Sequence, residues 1–344
     1  MIERVLVVGL GSAGIRHFQI VKELIPNAEV RILKSSKKDT HTDLQNLKID
    51  SIELAKNYKP NIVVVSNPAN YHISLAQQFI SCGAHILIEK PISNDIVGVS
   101  KLIRDCELSA RVLMVAYNLR FLDSLKEFRN LLNDGLIGNP LSVRCEVGQY
   151  LPTWRKGKHY KESVSAHKSL GGGVLLELSH EIDYLRWIFG EVDWVRATIL
   201  KQSNLEIDVE DTAHLILGFR SQNDGRQLVA TLNMDFIRHD TSRRCTVIGE
   251  SGSLCWDGIS GEVSLFREGE QSWNTLFKSM NGIDETYYLE WQEFMHAIRE
   301  GRSPMVTGED GLRVIEVVEA ARVSAELGIQ TKVIKEPIRS MDSE

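Results

Sequence analysis

The first third of the chain alternates short apolar runs with amphipathic stretches. Arg4 to Gly9 is a β-branched run closed by glycine, the pattern of a strand buried on both faces. Ser12 to Leu24 places apolar residues at helical spacing and stops just before Pro26. Further strands are predicted over Glu29 to Leu33, Asn61 to Ser66, His85 to Ile88 and Val112 to Tyr117, with helices over Asn70 to Cys82 and Asp95 to Leu108. Strand and helix in strict alternation, joined by short connections, predict a parallel sheet wound on both faces.

After Asn118 the pattern changes. A helix is predicted over Ser124 to Asn133 and a strand over Leu141 to Val147, and Tyr150 to Ser169 is irregular and polar. Gly171-Gly172-Gly173 then opens a helix running to Phe189. Strands follow at Val192 to Leu200, Ala213 to Phe219, Gln227 to Asp235, Arg243 to Ile248 and Glu262 to Phe266, with Asn223-Asp224-Gly225 as a hairpin turn. Helices over Thr286 to Arg299 and Glu309 to Leu327 end the series. Consecutive strands joined by short turns predict an open, mostly antiparallel sheet. The expectation is therefore an α/β chain of two domains, a doubly wound parallel domain over 1–118 and an α/β domain over 119–344.

Composition narrows the function classes. A hydrophobic share of 43% and a formal charge of -6 describe a soluble globular protein with no basic footprint for nucleic acid. The five cysteines are scattered, with no C-x-x-C pair, so neither a disulfide framework nor a zinc site is expected, and no other cluster has metal-ligand spacing. The N-terminus has no signal-peptide pattern and no apolar run is long enough to span a bilayer. A cytoplasmic protein is expected.

Candidate chemistry begins at the first strand. Gly9-Leu10-Gly11-Ser12-Ala13-Gly14, between a strand and a helix, is the G-x-G-x-x-G fingerprint of a Rossmann dinucleotide-binding domain. Its glycines permit the turn and a close approach of pyrophosphate to the N–H groups that start the helix, including those of Ser12 and Ala13. NAD-binding versions place a carboxylate at the end of the second strand; here Lys34, Ser35 and Ser36 follow Leu33, and no carboxylate precedes Asp39. Hydroxyl and ammonium groups suit a 2′-phosphate, which favours NADP over NAD, although such a basic run also suits a solvated loop.

Taken with Asn67-Pro68, His72, Glu89-Lys90-Pro91, Asn118, Arg120, Gly135-Leu136-Ile137-Gly138, Gly171-Gly172-Gly173, His180-Glu181-Ile182-Asp183, Glu210-Asp211-Thr212 and Gly249-Glu250-Ser251-Gly252, the chain resembles the Gfo/Idh/MocA family of NAD(P)-dependent oxidoreductases over nearly its whole length. The resemblance implies hydride transfer between a nicotinamide and a secondary alcohol or ketone of a sugar, cyclitol or nucleotide sugar. It implies Lys90 and His180 as catalytic residues. It places Asn67, Pro68, His72, Glu89, Lys90 and Asn118 beside the cofactor, and Arg120, Trp154, Arg155, Glu177 and Asp183 in the substrate pocket. Trp154 and Arg155 also suit a subunit contact, and the family's use of the open sheet implies a homodimer or homotetramer. One departure stands out: where the family has an aspartate four residues before the histidine, this chain has Leu176, with Glu177 next to it. Two rival readings are an imine or amino-acid dehydrogenase on the same fold, and an NADPH-binding sensor without turnover.

Overall fold

The computed structural model describes residues 2–33, 42–154, 159–220 and 225–338. They form two compact units, each described by itself: one of the residues up to Tyr117 with Tyr287–Ile315 and the residues from Glu336 on, the other of Asn118–Thr286 and Glu316–Lys335.

The first unit begins β1 (Arg4–Val8), α1 (Ser12–Leu24), β2 (Glu29–Leu33), β3 (Lys48–Ile49), α2 (Ile52–Asn57) and β4 (Ile62–Val65). It continues with α3 (His72–Ile80), β5 (His85–Ile88), α4 (Val99–Leu108) and β6 (Leu113–Val115). The six strands are ordered β3-β2-β1-β4-β5-β6 and every pair is parallel. Val5–Val8, Ile62–Val65 and Ile86–Ile88 are fully buried, as continuous apolar runs between two helical layers must be. The strand order reverses between β1 and β4, and open α/β sheets bind their ligands in the crevice at the carboxyl ends there. Gly9 and Asn67 both lie at that point.

The second unit holds α5 (Asp123–Asn133), β7 (Pro140–Gly148), α6 (Val174–Glu177), α7 (His180–Phe189), β8 (Val192–Leu200), β9 (Thr212–Phe219) and β10 (Val229–Asp235). Then come β11 (Ser242–Gly249), β12 (Ser253–Asp257), β13 (Glu262–Phe266) and β14 (Asn274–Lys278); α8 (Ile283–Glu300) and α9 (Gly308–Leu327) are shared with the first unit, which holds Tyr287–Ile315, and β15 (Thr331–Lys332) closes the second. The nine-stranded sheet runs β14-β13-β12-β11-β7-β10-β9-β8-β15, antiparallel except for β7 beside β10. One face is apolar, with Val143, Cys145, Leu215, Leu217, Leu232 and Trp256 buried on it.

The structure differs from expectation in several places, with α2, β3 and β15 among the elements not expected. Against the expected division into 1–118 and 119–344, the first unit runs to Tyr117 and takes in Tyr287–Ile315 and the chain from Glu336, so that unit is discontinuous in sequence. Long-range packing of this kind leaves no local mark. The single helix expected from Gly173 to Phe189 is two, because Leu178 leaves helical geometry at φ -101, ψ 22. Strands β12 and β14 lack a strong apolar run, and β14 is an exposed edge strand with little alternation. Of the expected hairpin turn, Asn223 and Asp224 lie outside the described residues; β9 and β10 on either side of it pair antiparallel.

Candidate active site

The glycine turn has the shape a dinucleotide requires. Gly9 adopts φ +93, a conformation that side-chain-bearing residues avoid, and a Cβ on Gly14 would lie 2.0 Å from the Gly9 carbonyl oxygen. Ser66 ties β4 to this turn, its hydroxyl donating to the carbonyls of Val8 (2.9 Å) and Gly9 (3.1 Å). Gly11 is different. It caps α1 in extended backbone with no side-chain cap, and a Cβ there would meet nothing within 4 Å. The first N–H groups of α1 therefore face open space at the positive end of the helix dipole, which fits an anionic pyrophosphate. Lys34, Ser35 and Ser36 lie outside the described residues.

Asn67, Pro68, His72, Glu89 and Lys90 come together around the carboxyl ends of β4 and β5. Lys90 stands two residues past the end of β5 and is half-buried, and its bond to Pro91 is cis. His72 occupies a different place from the one its sequence position suggests. It is fully buried, and both ring nitrogens meet backbone carbonyls, Nδ1 at 3.0 Å from Pro91 O and Nε2 at 2.7 Å from Asn67 O. Burial holds its proton affinity below the ordinary 6.5, against the pull of those carbonyls. Carbonyls only accept, so a neutral ring donates to one at a time. His72 thus joins the Asn67 and Pro91 loops, and direct contact with a cofactor, as expected from the family pattern, is not what its buried ring offers. Asn67 is buried too, with its Oδ1 meeting no hydrogen-bond partner among the described residues.

A second histidine, not anticipated from sequence, contacts Glu89. His17 is fully buried on α1, and its Nε2 is 3.0 Å from Glu89 Oε1. Trp291 Nε1 donates to His17 Nδ1 at 2.9 Å. The other Glu89 oxygen accepts the Lys90 backbone N–H at 3.2 Å. Burial raises the proton affinity of Glu89, but the His17 hydrogen bond and the charge of Lys90 outweigh it, leaving Glu89 below its ordinary range and ionised. Tyr287 and Trp291 of α8 set their rings edge-on to His17 at 5.9 and 6.0 Å. Between them Glu290 is fully buried, held well above the ordinary carboxyl value first by burial and then by the Glu89 charge. A signal for His17 was available, since it stands one helical turn beyond Gly14 on the face toward the sheet. None existed for Glu290 or Trp291, the latter 274 residues from His17 in sequence.

The second unit reorders the expected substrate residues. Arg120 and Asp183 are both buried and bind each other bidentately, Nε to Oδ2 at 2.9 Å and Nη2 to Oδ1 at 2.7 Å. Each fills the other's hydrogen-bonding capacity on that side, so they brace the start of α7. Glu181, also fully buried, pairs with Arg243 at 2.8 Å. His180 is the first residue of α7 and remains partly exposed, as does Glu177 at the end of α6. The break at Leu178 means that Glu177, His180 and Asp183 do not share one continuous helical face, as a single helix would have had it. Leu176 is core. The glycine run is explained by Glu210: Gly173 at φ +104 lies where a Cβ would strike the Glu210 carboxyl, whose Oε1 accepts the Leu175 N–H at 3.1 Å. Asn118, expected near the cofactor, is buried, and its amide donates to Thr286 Oγ1 at 2.7 Å. Trp154 packs edge-on against Phe236 at 5.1 Å, and Arg155 lies outside the described residues.

Two family models cover most of the chain: the NAD-binding Rossmann fold of an oxidoreductase family matches residues 3–117, and the C-terminal alpha/beta domain of the same family matches residues 129–333. The chain belongs to the Gfo/Idh/MocA oxidoreductase family. Among Gfo/Idh/MocA relatives, the myo-inositol 2-dehydrogenase of Thermotoga maritima is 24% identical, the match covering 94% of this chain and 96% of that protein. The scyllo-inositol 2-dehydrogenase (NADP(+)) IolW of Bacillus subtilis is also 24% identical, over 94% and 93%. A levoglucosan dehydrogenase solved with NADH superposes with a TM-score of 0.82 at 20% identity, covering 97% of this chain and all of that one. The WlbA dehydrogenase of Bordetella pertussis, solved with NADH and UDP-GlcNAcA, superposes with a TM-score of 0.80 at 19% identity over 98% of this chain and 100% of that one. The Gfo/Idh/MocA fold thus extends through both units. No helix among the described residues is long and apolar enough to cross a membrane.

Proposed function

We propose that this chain is an NAD(P)-dependent dehydrogenase acting on a secondary alcohol or ketone of a sugar, cyclitol or nucleotide sugar, with NADP the preferred cofactor. The carrying observation is the uncapped start of α1 beside Gly11, with a half-buried lysine just past β5, two strands away in the same sheet. The names of the inositol dehydrogenases and of the nucleotide-sugar complex support the substrate class, and Lys34, Ser35 and Ser36 support the 2′-phosphate. The backbone N–H groups of Ser12 and Ala13 would hold the pyrophosphate, and Asn67 and Pro68 would flank it. When bound, the nicotinamide supplies the hydride acceptor or donor. Lys90 binds the reacting oxygen and exchanges its proton through Nζ. His180, at the first turn of α7, is the second proton-handling group, and Glu177 orients substrate hydroxyls. The outward face of the nine-stranded sheet joins subunits into a homodimer or homotetramer in the cytoplasm.

Titration of NADPH and NADH fluorescence tests the cofactor, with NADPH expected to bind more tightly. A panel of inositols, aldoses, levoglucosan and UDP-sugars, with amino acids as controls, tests the substrate class by absorbance of the reduced cofactor. Turnover of amino acids alone, or undiminished turnover in both Lys90→Ala and His180→Ala, would overturn the reading.

A further inference from the structure

Lys90 has no regular secondary structure to hold it, because β5 ends at Ile88. A proton-handling side chain must nevertheless be placed within a fraction of an ångström, and loops do this poorly unless their backbone is fixed from behind. Three hydrogen bonds in series supply that fixing. Trp291 carries an indole N–H, which can only donate, so His17 Nδ1 must accept and the ring's proton sits on Nε2. That Nε2–H donates to Glu89 Oε1, and Glu89 Oε2 takes the Lys90 N–H.

The acceptor for His17 is also unambiguous. Residues 287, 290 and 291 share one face of α8, so Glu290 looks toward the same buried space as the two rings that flank His17. Neither carboxyl oxygen of Glu290 meets a hydrogen-bond partner among the described residues. Burial and the nearby Glu89 charge keep it protonated, so a single carboxylate competes for the imidazole N–H.

We propose that His17, with its tautomer set by Trp291, is a positioning residue for Lys90, acting through the Glu89 carboxylate on the Lys90 backbone. This rests on the reading of Lys90 as the proton-handling group. The link from His17 to the Lys90 amide can nonetheless be measured without substrate or cofactor.

The amide itself is the probe. In the full-length protein, hydrogen exchange at the Lys90 N–H reads the bond to Glu89 directly, and the amides of Val63–Val65 in β4 report whether the sheet has loosened. In His17→Leu, Lys90 exchange should rise by about tenfold, as loss of a charge-assisted hydrogen bond implies, with β4 unchanged. His17→Gln, which keeps a donor for Glu89, should restore most of the protection. Trp291→Phe keeps the ring and removes only the N–H, so it should give a smaller rise in the same direction and serves if His17→Leu does not fold. Unchanged Lys90 exchange, equal acceleration in β4, or no rescue by Gln would overturn the proposal. With a substrate in hand, His17→Leu should lower kcat more than it raises KM, and a fall in KM-controlled binding alone would count against positioning. The two readings fail separately: full turnover in Lys90→Ala removes the catalytic role of Lys90 but leaves the exchange result intact.

Discussion

Asp183→Ala is the substitution that best separates the sequence expectation from the folded geometry. Read from sequence, Asp183 is a substrate-pocket carboxylate whose loss would weaken binding and leave the fold alone. In the structure its side chain is 1% exposed and that of Arg120 is 4% exposed, with two charge-assisted hydrogen bonds between them. Removing Asp183 takes both of these bonds from a buried guanidinium whose centre lies 5.9 Å from the Trp187 ring. Breaking a buried pair in this way costs about 3–5 kcal/mol. For a unit of this size each kcal/mol moves the melting temperature by roughly 2–4 °C, so a fall of roughly 6–20 °C is expected. Replacing both residues by apolar side chains of similar volume, Arg120→Met with Asp183→Leu, should recover most of the loss, because no charge is then left unpaired. Scanning calorimetry on the wild type, Asp183→Ala and the double substitution gives the answer. A loss below about 1 kcal/mol in Asp183→Ala, the range of an exposed pair, would refute the reasoning. So would an unchanged melting temperature combined with a raised substrate KM.

Three further outcomes follow from the geometry. Gly11→Val should leave stability within about 0.5 kcal/mol, since its backbone is extended and its surroundings are open, yet weaken NADPH binding at least tenfold in a fluorescence titration. Gly14→Ala should instead lower the melting temperature, because its Cβ would collide with the Gly9 carbonyl; an unshifted transition would show that α1 can slide to make room. Glu290→Gln should stabilise the protein by an amount that grows with pH. The folded value of Glu290 lies above its ordinary 4.5, so the native state binds more protons than the unfolded one and wild-type stability falls as pH rises above that value. The gap between the two proteins should widen by up to about 1.4 kcal/mol per pH unit in urea titrations above pH 4.5, and a constant gap would mean that Glu290 is ionised in the fold.

The local signals in this chain were strong where chemistry and backbone geometry coincide. Arg4 to Gly9 followed by Gly11 and Gly14 announces both a buried parallel strand and the start of a dinucleotide-type helix, since the positive φ of Gly9 and the close approach at Gly14 require glycine. The alternation up to Tyr117 and the shift to strands after it are periodicities, and periodicity is a property of neighbours in sequence. Lys90 was legible for the same reason, as a polar residue placed just past a buried strand.

Burial and partnership were not legible in this way. Nothing adjacent to Arg120 says that it meets Asp183, or that His72 has both ring nitrogens on loop carbonyls. Nor does the chain near Glu89 show that Trp291 closes a line of hydrogen bonds through His17. Each of these is a contact between segments far apart in sequence, made only when Tyr287–Ile315 returns to the first sheet or when α7 settles against the 118–121 turn. The amino-acid sequence by itself determined the fold class and the glycine turn after β1. The tertiary structure decided which polar groups are buried and which partners they meet there, because a buried charge or ring persists only where the fold brings its partner to it.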